Sequence, residues 1–62
     1  MYEIARVPRG KNNMETAKAF ARCEAFKNYR ISEIIENMRS YEKCGWLIYT
    51  DTEAIMYHDC NQ

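Results

Sequence analysis

Sixty-two residues with nine basic and nine acidic side chains make one small domain without net charge, which excludes the bulk electrostatics of a nucleic-acid or membrane binder. Apolar residues make up 47% of the chain, and two glycines and one proline are its only strong breakers, a composition that excludes a disordered tail, a collagen-like repeat and a low-complexity linker. A core of this size is marginal on its own, so burial against a second copy or another protein is expected to supplement it.

Tyr2 to Val7 reads as a short strand, closed by Pro8, which cannot donate to a ladder. Arg9-Gly10-Lys11-Asn12-Asn13 follows as a polar turn. Asn12 with Glu15 three residues later fits a capping box, so a helix is expected from near Asn13. The composition stays helical from Met14 to Lys27, with Ala17, Phe20 and Ala21 on one thin apolar side. The pattern stutters at Asn28-Tyr29-Arg30. Ser32 is a cap for a second helix, in which Ile31, Ile34, Ile35, Met38 and Tyr41 hold helical spacing. One long helix bent near Asn28 is the alternative. Lys43 and Gly45 end the helix.

Trp46 to Tyr49 and Ala54 to His58 read as two strands of a hairpin, joined through Thr50-Asp51-Thr52-Glu53. The expected fold is therefore α+β: one long bent helix or two helices packed on a three-stranded antiparallel sheet, in the order β-α-(α)-β-β. Residues 1–62 form a single domain in this reading.

The hairpin is apolar on both sides. Trp46 and Ile48 alternate with Leu47 and Tyr49, and Ile55 and Tyr57 alternate with Ala54 and Met56. A sheet covered by helices on one face should be polar on the other. Leu47, Tyr49, Met56 and Tyr57, or the opposite set with Trp46, are accordingly read as anchors for another protein or a second copy. The competing reading has a helix covering the second face within the chain.

Charge is balanced in total but not along the chain. Residues 1–30 carry seven basic against three acidic side chains, and residues 31–62 two against six, a split of +4 and −4. Glu33 and Glu36, with Glu42, Asp51 and Glu53, are expected to steer the chain toward a basic partner. The functional expectation is a small non-enzymatic protein-interaction module, homodimeric or docked on a larger protein. Its size and style suggest a phage or mobile-element accessory protein that inhibits a host protein by occluding it.

The second functional reading is a dimeric nucleic-acid-binding regulator. Arg6, Arg9 and Lys11 surround the first turn, and Lys18 and Arg22 extend positive charge along the first helix at i, i+4 spacing. The spacing of a phosphate-binding P-loop is absent. A strand followed by two helices, the second opening Arg30-Ile31-Ser32-Glu33-Ile34-Ile35, resembles a ribbon-helix-helix repressor over residues 2–42. That resemblance implies a dimer inserting a paired strand into the major groove. The chain departs from the pattern in lacking a glycine between the helices, in Pro8 after the strand, and in its C-terminal hairpin.

Other chemistry has little to rest on. A three-residue hairpin loop, Asp51-Thr52-Glu53, would set Cys44 opposite Cys60 near His58, with Asp59 or Cys23 as a further ligand; a two-residue loop would break that pairing. The spacing matches no common zinc module, and no metal or cofactor is expected. With one histidine and no nucleophile–base pair at a recognisable spacing, no catalytic residue is assigned. The three cysteines lack a C-x-x-C spacing and are read as reduced thiols. Met1-Tyr2-Glu3-Ile4-Ala5-Arg6 does not open like a secretory signal, and no apolar stretch exceeds Trp46-Leu47-Ile48-Tyr49. A cytoplasmic protein away from membranes is the expectation.

Overall fold

The computed structural model describes residues 2–58. Strand β1 (Tyr2–Pro8) is followed by helix α1 (Asn13–Phe20), a single 3-10 turn (Glu24–Phe26), helix α2 (Ile31–Cys44), and strands β2 (Leu47–Tyr49) and β3 (Glu53–His58). The strands form one antiparallel sheet in the order β1-β3-β2, so the last strand is the central one. Two helices, not one bent helix, pack on it.

The start of α1 is built as the sequence suggests. Asn12 Oδ1 accepts the Glu15 N–H at 2.9 Å, which satisfies one orphan donor at the helix entrance; the Glu15 carboxylate accepts the N–H of Lys11 at 3.3 Å, one residue before the N-cap, so only half of the expected capping box is formed. The end of α1 differs from expectation. The helix stops at Phe20 and the chain turns through residues 21–23, seven residues short of Lys27. Phe20 and Phe26 are both buried, with rings edge-on at 5.8 Å. In a continuous helix two residues six apart point about 120° from each other. The turn lets both phenyl rings enter the same core, and that burial overrides the helical composition of residues 21–27.

Helix α2 begins at Ile31, with Ser32 exposed in its first turn rather than at its cap. Glu33 caps it instead: its Oε1 accepts the Arg30 N–H at 2.8 Å. Ile34 and Met38 are fully buried and Ile31, Ile35 and Tyr41 pack beside them, as the spacing predicts. Gly45 ends the helix at φ +81°, where a residue without Cβ is favoured.

Leu47 pairs with Met56, Ile48 with Ile55 and Tyr49 with Ala54. The Thr50 N–H adds a bond to Glu53 O at 2.8 Å, leaving Asp51-Thr52 as a two-residue loop. Thr50 Oγ1 braces it by accepting the Glu53 N–H at 2.8 Å. Of the two loop lengths that the sequence allows, the two-residue one is present. Cys60 and Asp59 lie outside the described residues.

Across the other edge, Ala5 pairs with Met56, Arg6 with Ile55 and Val7 with Ala54, with a bulge between Glu3 and Ala5. β1 is therefore bonded along one edge to β3 of its own chain, a pairing with the C-terminal hairpin that has no counterpart in the ribbon-helix-helix pattern. Ala5, Val7, Leu47, Ala54 and Met56 meet Ala17, Phe20, Phe26, Ile34 and Met38 in one core. Both helices thus lie over the same face of the sheet.

Candidate functional site

Side chains alternate across a strand, so the opposite face of the sheet carries the partners left out of the core. These are Ile48 on β2, Glu53, Ile55 and Tyr57 on β3, and Glu3, Arg6 and Pro8 on β1. No element of the described residues packs over them. Ile48 keeps 44% of its surface exposed, Tyr57 is half-buried, and Ile55 is buried between its cross-strand neighbours Arg6 and Ile48.

Along one side of this apolar ridge runs an ion-paired strip. Arg6 Nη2 lies 2.8 Å from Glu3 Oε1 and Arg6 Nη1 lies 3.1 Å from Glu53 Oε1. The hydrogen bond from Arg6 holds the Glu3 carboxyl below the usual carboxylate range, and the two carboxylates hold the Arg6 guanidinium more firmly protonated.

The sequence-derived anchors divide between the two faces. Leu47 and Met56 are core residues, 5% and 0% exposed, paired on the sheet face that meets the helices; they are corrected as surface anchors. Tyr49 packs against the same core from the helix side. Its phenol is pushed up, first by burial and then by the Glu42 carboxylate, with Arg9 acting the other way. Trp46 is half-buried, edge-on to Tyr41 at 5.6 Å and stacked on His58 at 6.3 Å. Of the original set, Tyr57 alone stands on the uncovered face. Ile48 and Ile55 are the residues that reasoning from sequence missed as anchors; the two-residue loop braced by Thr50 sets them opposite each other on one face.

Glu33 and Glu36 are exposed on α2, with Glu33 engaged in its cap. The basic set also divides. Arg6 belongs to the ion-paired strip. Arg9 clamps the hairpin loop: its N–H donates to Thr52 O at 3.0 Å, its Nη1 donates to Thr50 O at 3.0 Å, and its guanidinium sits over the Tyr49 ring at 5.1 Å. Arg9, Lys18 and Arg22 nevertheless converge, with Pro8, Gly10, Glu15 and Ala19, on an open depression of about 310 Å³. Lys11 is exposed and does not line it.

Among the described residues no group of three His, Cys, Asp or Glu side chains is close enough to hold a metal ion. Cys23 is partly buried and Cys44 exposed, both as free thiols; burial raises the Cys23 thiol above its ordinary value. No described helix is long and apolar enough to cross a membrane. Compared with known proteins, the chain matches no family model, no curated protein and no solved structure.

Proposed function

We propose that this chain is a non-enzymatic protein-interaction module that self-associates through its uncovered sheet face. The observation that carries the reading is Ile48, 44% exposed in the ladder beside Ile55 on a face that no helix among the described residues covers. An antiparallel sheet facing water is ordinarily polar on that side. Here an apolar ridge of Ile48, Ile55 and Tyr57 adjoins charges of both signs.

A standard interface takes ~800 Å² from each partner, about a fifth of the 4420 Å² surface of this chain. Three apolar side chains are too few for that, so the interface includes the Glu3, Arg6 and Glu53 strip. Such a patch suits a twofold contact, in which the same surface meets itself and Arg6 of one copy is offered to the carboxylates of the other. The helix side, with Glu33 and Glu36, stays outward in that dimer. It supplies an acidic surface for a basic partner, and occlusion of a larger host protein would proceed from there.

Gel filtration of Ile48→Asp and Tyr57→Ala beside the wild type tests the reading. Both variants should elute later than the wild type while keeping native circular dichroism. Elution of all three at the monomer position would overturn it.

A further inference from the structure

We infer that the depression between the β1–α1 turn and the flank of α1 binds an oligophosphate, a ligand carrying two or more linked phosphate groups. Arg9 comes from the turn and Lys18 and Arg22 from one side of the helix and the residues that follow it, and all three line the same depression. Lys18 lies on α1 and Arg22 in the turn that follows it, and both cations border the one depression. Neither takes part in an ion pair among the described residues, whose pairs are Arg6–Glu3, Arg6–Glu53 and Lys27–Glu24. Glu15 is the single carboxylate in the lining, which leaves two positive charges in excess.

The walls are held in place before any ligand arrives. The Gly10 N–H donates to Thr16 Oγ1 at 3.0 Å, and Thr16 Oγ1 donates to Asn12 O at 3.1 Å. A Cβ on Gly10 would stand 2.7 Å from the Thr16 nitrogen, so the turn lies directly against the helix. Arg9 is fixed by its bonds to Thr50 and Thr52, and because a guanidinium has five N–H donors, the bond to Thr50 leaves donors for a ligand. Of the three cations, Arg9 is the one held in position, and a cation so held loses less freedom on binding than a mobile one.

The lining also states what is recognised. Among the described residues it contains no aromatic side chain, so it offers no aromatic platform for stacking a base. Recognition falls on phosphate oxygens, where forked and ammonium donors make strong charge-assisted bonds. The depression, about 310 Å³ and open to solvent, has room for more than a single phosphate. Free polyphosphate and the backbone of a single-stranded nucleic acid share this chemistry.

Isothermal titration at low and moderate salt tests the inference with three probes: inorganic phosphate, linear tripolyphosphate, and a twelve-residue single-stranded oligonucleotide of mixed sequence. The variants are Lys18→Glu and Arg22→Glu, with Arg39→Glu on α2 as a control of equal charge change. Tripolyphosphate should bind more tightly than inorganic phosphate and weaken with salt. Each depression variant should reduce that affinity about tenfold or more, as expected for losing a hydrogen bond to a charged group, with Arg39→Glu close to wild type. An oligonucleotide that competes with tripolyphosphate and loses affinity in the same variants identifies a phosphodiester backbone as the source; one that does not compete identifies a free polyphosphate. Absence of tripolyphosphate binding, or equal losses in all three variants, would overturn the proposal. Lys18 and Arg22 are exposed, so circular dichroism should report a native fold in every variant.

Discussion

Ile48 and Ile55 face each other across β2 and β3, yet Ile48 keeps 44% of its surface and Ile55 only 6%. The difference is one of place in the sheet. Ile55 sits on the central strand with Arg6 on its other side, and the aliphatic stem of an arginine can cover apolar surface while its charged head stays in water. Ile48 sits on an edge strand of three residues. The pair forms a ridge that is packed at its centre and open at its rim.

This arrangement separates core from surface within one hairpin. Met56→Ala should cost ~2–5 kcal/mol, the usual range for truncating a buried methionine, and a domain of this size rarely has more than ~3–5 kcal/mol in total. Ile48→Ala should cost about 0.5 kcal/mol or less at a concentration where the chain is monomeric. Urea denaturation of the two variants checks the contrast, and equal losses would contradict the assigned faces.

The two glycines should respond differently to substitution. At Gly10 the obstacle is the backbone nitrogen of Thr16, 2.7 Å from an added Cβ, so Gly10→Ala forces the turn away from α1 and should cost ~1–3 kcal/mol. Nothing lies within 4 Å of a Cβ at Gly45, but its φ is +81°, and Gly45→Ala should cost about 1 kcal/mol through backbone strain alone. Asn tolerates that conformation better than Ala, so Gly45→Asn should recover part of the loss and Gly10→Asn should recover none. Thermal melts of the four variants distinguish the two causes.

Much of this architecture is legible in the residues. Pro8 marks the end of β1, Asn12 and Glu15 open α1, the Ile31 to Tyr41 spacing defines the buried side of α2, and Gly45 stops it. The break after Phe20 is not legible, because no glycine or proline marks it and only the joint burial of Phe20 and Phe26 explains it. The interface residues fail for a related reason. With both hairpin faces apolar, the alternation alone does not say which face meets the helices, and the pairing of Ile48 with Ile55 depends on a loop held by a threonine hydroxyl instead of an Asn-Gly turn. The roles of Arg6 and Arg9 were hidden likewise, since Glu53 and Thr50 stand far along the chain and reach them only through the sheet.

The ion-paired strip gives stability a small acid dependence. Arg6 holds Glu3 below the ordinary carboxyl value of 4.5, so folding gains from this pair fully above that value. The gain is lost as pH falls through the lower folded value. Both groups are exposed, which keeps the effect small and sensitive to salt. Glu3→Gln should flatten the decline in melting temperature below about pH 5 at low ionic strength, and a steepened decline would contradict the pairing.

An alkaline counterpart comes from Tyr49. Burial lifts its phenol above the ordinary value of 10, so its contribution to folding is complete below that value and is lost as pH rises through the folded one. Tyr49→Phe should remove part of the loss of stability seen above about pH 10, read by denaturation at pH steps across that range. A fall in the variant as steep as in the wild type would place the alkaline sensitivity elsewhere.

The central claim is that the face carrying Ile48, Ile55 and Tyr57 is covered by a second copy of the chain. Light scattering of the wild type across a tenfold range of concentration, at low and high salt, measures this directly. The expected result is a dimer that salt weakens but does not abolish, because the contact joins an apolar ridge to a charged strip. A molar mass of 7.4 kDa at every concentration and salt would contradict it.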